Sequence, residues 1–412
     1  TSLVMTSGNM SEEPIAIDND DAFERLAAIA DYFLVHDRDI YLRSDDSIVR
    51  HIAGAERLIR RSRGFVPIPV FLKNDVPPIL ACGAELKNTV CITKQNKAFL
   101  SQHIGDLENI STYDFFKLTV DHLKRILGIN PEIIACDMHP DYLSTQFAKA
   151  QATIPNIQVQ HHHAHIVSCM AEHTMEGAVI GLSFDGTGYG TDGSLWGGEI
   201  LIAEAHDFKR AGHLAYIAMP GSTAAIKEPW RMAVSYLQDA YGTDFYNLDL
   251  PFLRDLESEH LTVISEMITK GINSPLTSSL GRLFDGVAAI CGIRNRANFE
   301  GQAAMELEML SGESAQSLYD YEWEKDTVLH IPPAPIIRGV VSDIQNRVPL
   351  SEIGAKFHRT LICLFSDLCN VIRKESGLNR VVLSGGCFQN ATLLSGMIRV
   401  LRENKFDVFT HE

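Results

Sequence analysis

The sequence has no C-x-x-C pair. Its eight cysteines are scattered without tight even spacing, which excludes a zinc ribbon and the disulfide framework of a small secreted domain. A reducing, cytoplasmic setting is the expectation. It also lacks an apolar run of about 18 residues and a basic-then-apolar leader, so neither a membrane-spanning helix nor an export signal is expected. Positive charge is in short supply, with 36 Lys and Arg against 52 Asp and Glu and a formal net charge of −16. A polyanion needs a positive field to attract it, so the charge argues against general nucleic-acid binding and membrane-surface adhesion, and any nucleotide must be held by local groups. What the chain does have is length and apolar content. Its 412 residues, 45% apolar, exceed the roughly 250 to 300 at which single cores stop growing, so two or more packed domains are expected. TSLVMTSGN starts in mid-strand without a methionine and FDVFTHE stops as a strand is ending. The chain reads as a piece of a longer one.

Three regions follow from the pattern. TSLVMTSGNMSEEPIA reads as a short strand entering a turn, Asp20 to Tyr32 has helical apolar spacing, and YFLVHDRDIYLRSDDSIVRHI alternates like a strand. Seven arginines (38, 43, 50, 57, 60, 61 and 63) face five acids between His36 and Arg63, a locally basic stretch in an acidic chain. The proline-punctuated GFVPIPVFLKNDVPPIL carries no periodicity and makes the best domain boundary. From Ile79 onward strands and helices alternate. ILACGAELKNTVCITK and VIGLSFDGTGYGTDGSLWGGEILIAEA each read as strand, glycine turn, strand, and α/β units follow both. That repetition predicts a duplicated α/β architecture with a cleft between lobes.

The run QHHHAHIVSCMAEH sits where a strand-like segment gives way to a helical one. An affinity tag is excluded, because the run is internal, interrupted by Ala164 and embedded in an apolar pattern. His161 and His165, four apart, share a helix face and can hold one metal. The series continues through Cys169 and His173, but each step of four climbs about 6 Å and overshoots a turn, so four ligands in line cannot meet at one ion. Cys169 is expected in the core and His173 at the surface. A histidine cluster satisfied at a helix start is the plain alternative, and the Glu of the H-E-x-x-H zinc-protease helix is absent. The nearest oxygen ligand is Asp185, which ends a strand ahead of Gly186, Gly188, Gly190 and Gly193. Backbone N–H groups there could approach a phosphate closely, and the alternative is a glycine hairpin capped by Asp185. Residues 188 to 193 spell G-x-G-x-x-G, but a strand follows where a dinucleotide fold requires a helix, so the dehydrogenase reading fails.

RVVLSGGCFQNATLL sets Gly385 and Gly386 between an apolar strand and a helix beginning near Asn390, an arrangement suited to anions. Cys387 has no neighbouring base in sequence and is read as structural. Glu300 and Gly301 stand just ahead of a helical run, placed either to meet a ribose and an adenine or merely to cap the helix.

Taken together, TSGNMSEEPI, RRSRGFVP, GAELKNT, SQHIGDLEN, CDMHPDYLST, QHHHAH, GRLFDGVAA, FEGQAAMELE and LSGGCFQN resemble the HypF family of carbamoyltransferases, which serve nickel–iron hydrogenase maturation. The resemblance implies an α/β fold in which residues 1–66 form the C-terminal portion of a YrdC-like domain. Residues 67–78 would link it to a two-lobed, duplicated Kae1-like domain of the actin/Hsp70/sugar-kinase superfamily at 79–412, with lobes of roughly 79–175 and 176–412. It implies that carbamoyl phosphate and ATP form carbamoyl-adenylate, whose carbamoyl group passes to the C-terminal cysteine of HypE and later becomes cyanide. ATP and one metal ion, zinc, iron or magnesium, are the implied cofactors. Position by position, His161, His165 and Asp185 match the metal site and its catalytic carboxylate. Gly186, Gly188, Gly190, Glu300, Gly301, Gly385 and Gly386 match the nucleotide cleft, and Ser7, Asn9, Arg43 and Arg50 fall where the YrdC-like domain holds its own nucleotide.

The family pattern also includes an acylphosphatase domain, a zinc-finger segment and most of the YrdC-like domain upstream of Thr1. An Asn-Asp-Gly-Gly segment with a further metal-ligating Asp is expected beyond Glu412. Without these parts, this piece is expected to fold but not to turn carbamoyl phosphate and ATP into carbamoylated HypE unaided. Two other readings remain, an ATP-binding regulatory module without transfer chemistry, which would need the glycine loops but not the histidines, and threonylcarbamoyl transfer to tRNA, which the charge of −16 disfavours.

Overall fold

The structure is a computed structural model that describes residues 5–10, 13–254, 256–312 and 317–412. The chain divides into two compact units, one drawn from residues up to 51 and 56–161, the other from 52–55 and 162–411. No described helix is long and apolar enough to cross a membrane.

In the first unit, helix α1 (Asn19–Leu26) begins where the Asp18 carboxylate accepts from the Asp20 and Asp21 amides, the usual N-cap arrangement. Strands β1 (Ile48–Ile52) and β2 (Ala55–Arg60) pair as a hairpin. A five-stranded sheet follows from β3 (Val70–Val76), β4 (Ile79–Ala81), β5 (Cys91–Leu100), β6 (Ile133–Asp137) and β7 (Asn156–Val159), in the order β3-β5-β4-β6-β7. Its β4, β6 and β7 run parallel, with α2 (Ile110–Leu127) and α3 (Leu143–Ala150) as crossovers. Phe115, Phe116, Val120 and Leu123 of α2 pack with Leu80, Ile92 and Ile134 of the sheet.

The second unit is built on a seven-stranded sheet ordered β13-β14-β10-β9-β8-β15-β16. Its elements run α4 (His161–Glu172), β8 (Val179–Phe184), β9 (Gly198–Ala203), β10 (Phe208–Leu214), β11 (Ile217–Ala218), α5 (Thr223–Lys227), α6 (Trp230–Tyr241), α7 (Pro251–Arg254), α8 (Ser258–Lys270), β12 (Leu276–Thr277), α9 (Leu280–Ile290), α10 (Gln302–Leu310), β13 (Glu324–Lys325), β14 (Leu329–Ile331), α11 (Ala334–Gln345), α12 (Leu350–Ser376), β15 (Arg380–Ser384), α13 (Ala391–Glu403) and β16 (Asp407–Thr410). β8, β15 and β16 are parallel neighbours. β8 is buried at all six positions, the mark of a central strand covered on both faces. A cluster of buried apolar residues from α6, α9 and α12 packs on the sheet, while Ile166, Cys169 and Met170 of α4 pack against Val179, Leu201 and Val382.

The α/β class is thus as the alternation predicts, with local differences. The alternating stretch from Tyr32 yields a strand only at Ile48–Ile52. Tyr32, Leu34 and Val35 are exposed, because alternation stabilises a strand only where a partner strand and a buried face exist. The expected helix ends at Leu26, short of Tyr32. The stretch read as a boundary contributes β3, which pairs antiparallel with β5. The opening strand falls largely on residues 1–4, outside the described residues.

Candidate metal and nucleotide site

A single residue, Gln160, separates β7 from α4, so the histidine run occupies the first turns of a helix. The boundary between the units passes after His161, but the helix itself is continuous. Its four histidines divide by face. His162 and His163 are buried, the former beside Trp196 and the latter 2.7 Å from the Glu204 carbonyl. His161 and His165 are partly exposed, and with Asp185 they bring three ligand atoms within 4.8 Å of one another. His165 Nε2 lies 2.9 Å from Asp185 Oδ2. His161 Nδ1 lies 2.8 Å from Oδ2 of the buried Asp137 at the end of β6. A carboxylate on one imidazole nitrogen fixes the ring and leaves the other nitrogen for a ligand, which is how metal-binding histidines are held.

Asp185 is itself held from several directions. Its N–H donates to the Gly197 carbonyl at 2.8 Å, its Oδ1 accepts from the Gly186 amide at 2.7 Å, and the Ser279 hydroxyl reaches the carbonyls of Asp185 and Gly186 at 2.7 and 2.8 Å. Ser279 also caps α9 through the Arg282 amide. In the turn after β15, Gly386 approaches so closely that a Cβ there would stand 2.9 Å from Asp185 Oδ1. Gly385 has φ +104°, and a Cβ on it would lie 2.3 Å from the Phe184 carbonyl. Only glycine fits both demands.

Beneath the Gly186 turn lies a buried charge cluster. Arg282 Nη2 pairs with Asp285 at 3.1 Å, both side chains being under 5% exposed. A Cβ on Gly186 would sit 3.1 Å from Arg282 and 3.9 Å from Glu300 Oε1. Burial, with Arg282 opposing and Glu300 adding, pushes the Asp285 carboxyl up to about 6. Arg282 Nε and Nη1 are buried without a hydrogen-bond partner among the described residues. Burial and the charge of Asp185 hold the Cys387 thiol well above its ordinary value, which keeps it protonated and agrees with a structural role.

The rest of the glycine-rich loop is braced by a second ion-pair network. Fully buried Glu199 accepts from the Gly197 and Gly198 amides, from Ser278 and from Arg210 Nε at 2.6 Å. Arg210 lies 3.8 Å over the Trp196 ring, and the Trp196 indole N–H donates to Asp192. Gly190 packs on that indole, where a Cβ would be 2.1 Å from Nε1, and the Gly188 carbonyl accepts from the Trp196 amide. At these two positions the backbone serves the packing of Trp196.

The structure therefore brings His161, His165, Asp185, Gly186, Glu300 and Gly386 to one locality, with Gly301 capping α10 beside Glu300. In the first unit, Asn9 donates to the carbonyls of Met10 and Glu13. Asn9 thus braces its own turn, while Arg43 donates to the distant Ile15 carbonyl and lies over Phe115; Ser7 and Arg50 are exposed. Cys169 is in the core as expected, but His173 is not a surface residue. It is partly buried, with Nε2 2.8 Å from the Thr410 carbonyl, because β16 runs beside the end of α4. Sequence reasoning missed Asp137 and the Arg282–Asp285 pair. The signal for the pair was two opposite charges three apart in the otherwise apolar segment LGRLFDGVAAI.

Known proteins resemble the chain over most of its length. Residues 181–412 match the family described as "Carbamoyltransferase, Kae1-like Domain, second subdomain", residues 74–172 the "HypF Kae1-like domain", and residues 1–62 the YrdC family described as "Telomere recombination". Carbamoyltransferase HypF of Rhizobium leguminosarum bv. viciae is 43% identical, covering 97% of this chain and 51% of that protein. A carbamoyltransferase HypF homolog of Cupriavidus necator is 33% identical, covering 78% of this chain and 83% of that one. A crystal structure of full-length HypF in the phosphate- and nucleotide-bound form is 47% identical with a TM-score of 0.94, covering 98% of this chain and 64% of that chain. The chain thus spans about half the length of its Rhizobium relative. By these matches the chain belongs to the HypF family of carbamoyltransferases.

Proposed function

We propose that the chain carries the carbamoyl-transfer site of its family. In this reading ATP and carbamoyl phosphate are joined as carbamoyl-adenylate, and the carbamoyl group passes to the C-terminal cysteine of HypE as a precursor of cyanide, in the cytoplasm. The observation that carries the reading is the convergence of His161, His165 and Asp185 beside the close approach of Gly386. The relative solved with phosphate and nucleotide bound supports the nucleotide. We assign residues 1–66 to the YrdC-like portion, with Ser7, Asn9, Arg43 and Arg50 serving its nucleotide, and 79–412 to the Kae1-like portion; the 67–78 stretch expected as a linker instead supplies β3 of the five-stranded sheet.

The donor set fits a metal. Two imidazoles and one carboxylate are the protein ligands of open catalytic zinc sites and of non-haem iron sites, and imidazole favours those ions over magnesium. When bound, such an ion supplies Lewis acidity and neutralises phosphate charge. The chain's own groups do the rest. In this reading Asp137 fixes the His161 ring, the backbones of Gly186 and Gly386, whose missing side chains let Arg282 and Asp185 approach, face the phosphates, and Glu300 takes a ribose hydroxyl. Preformed carbamoyl-adenylate supplied to the protein with HypE tests the reading. HypE should gain the mass of one carbamoyl group, and a chelator or Asp185→Asn should abolish the gain; transfer undiminished in the His161→Ala, His165→Ala double variant would overturn it.

A further inference from the structure

A second constellation lies wholly within the second unit. Ser384, the last residue of β15, places Oγ 2.9 Å from Nε2 of His411, the residue following β16. His411 Nδ1 lies 2.8 Å from Oε2 of Glu172, the last residue of α4. With the carboxylate taking the Nδ1 proton, Nε2 is left to accept from the serine hydroxyl. These are a nucleophile, a base and the acid that orients the base, each within hydrogen-bond reach of the next. Ser168 Oγ is the other hydroxyl near Nε2, at 3.5 Å, but it is engaged with the His165 carbonyl at 2.8 Å.

The place in the fold is the one where α/β proteins do chemistry. β8, β15 and β16 are adjacent parallel strands, and Asp185, Ser384 and His411 stand at their carboxyl ends, where such sheets bind ligands. Ser384 enters a tight turn at once, through Gly385 with φ +104°, and α13 follows. A serine at a strand end on a strained turn before a helix is how α/β-hydrolases present their nucleophile. A purely structural tie is the simpler account of the contacts. Yet β15 and β16 are already joined by four register pairs, and His173 already ties α4 to Thr410. Neither task needs an imidazole oriented by a carboxylate.

We propose that Ser384 is an acyl-accepting nucleophile, with His411 as its base and Glu172 orienting His411. Ser384 is 2% exposed while the His411 side chain is 42% exposed. With the hydroxyl this buried, the donors we assign to it are small activated acyl groups of carbamoyl size. In the step, Ser384 Oγ bonds to the acyl carbon as its proton moves to His411 Nε2. The bond from that carbon to the leaving oxygen breaks, and the leaving oxygen takes the proton from His411. An incoming thiol or water then gives its proton to His411 and bonds to the acyl carbon, while the carbon–Oγ bond breaks and Ser384 regains the proton. Naming carbamoyl-adenylate as the natural donor rests on the proposed function; the reactivity of Ser384 does not.

Methanesulfonyl fluoride, a small reagent for activated serines, tests this directly on the full chain. One sulfonyl group should appear on the peptide containing Ser384, and none on that peptide in Ser384→Ala. His411→Ala and the shape-preserving Glu172→Gln should both slow labelling, the former roughly a hundredfold or more. No label at Ser384 in the wild-type protein, under conditions that label a serine protease, would overturn the proposal, as would equal rates in wild type and His411→Ala. The assay uses neither metal nor ATP, so a failure here leaves the metal site and carbamoyl transfer standing, and failure of that transfer leaves this result untouched.

Discussion

An imidazole makes a dependable metal ligand when its other nitrogen is satisfied, and Asp137 does this for His161 at 2.8 Å. Replacing Asp137 by Asn should lower metal affinity about 10- to 100-fold while leaving all three ligands in place. Competition with a chromophoric chelator measures this, and unchanged affinity would remove Asp137 from the site. His161 and His165 were legible because their spacing is local. Asp137 was not, because its contact spans 24 residues and depends on β6 and β7 lying side by side. Cys387 is the converse case. Burial and Asp185 keep its thiol protonated, so in the native protein it should resist iodoacetamide near neutral pH and react after denaturation. Rapid native alkylation at that residue would show a thiolate there.

Among the elements, the two glycine turns do different work and should fail differently. Gly386→Ala places a methyl 2.9 Å from Asp185 Oδ1, so it should weaken metal and ATP binding, measured by calorimetry, with little change in the urea midpoint. Gly385→Ala forces a side chain into a left-handed conformation against the Phe184 carbonyl. It should cost roughly 1–3 kcal/mol or more in urea unfolding with an unchanged slope. If both variants bind and unfold alike, the turn is not built as described. β8, β9 and β15 were legible from apolar runs bounded by glycines. The stretch after Tyr32 was misread because its alternation has no buried face behind it, a fact of packing that no local pattern contains.

For the whole molecule, the Arg282–Asp285 pair puts a titrating group in the core of the second unit. A carboxyl whose folded value exceeds its unfolded one binds more protons folded than unfolded between the two. Asp285, pushed up to about 6, therefore lowers stability as pH rises from roughly 4 to 6. Compared with Asp285→Asn over that interval, the wild-type urea midpoint should fall relative to the variant as pH rises, and the opposite trend would mean that Asp285 is ionised throughout. The alternating pattern foretold an α/β chain. Arg282 and Asp285 stand three apart on α9, so the pair had a local signal, whereas its nearness to Gly186 and Glu300 depends on separate segments meeting. The claim on which the rest depends is that His161, His165 and Asp185 hold one ion, and metal content by plasma emission spectrometry tests it most directly. The account predicts close to one zinc or iron per wild-type chain and only a small fraction of that in the His161→Ala, His165→Ala double variant; equal metal in the two proteins would contradict it.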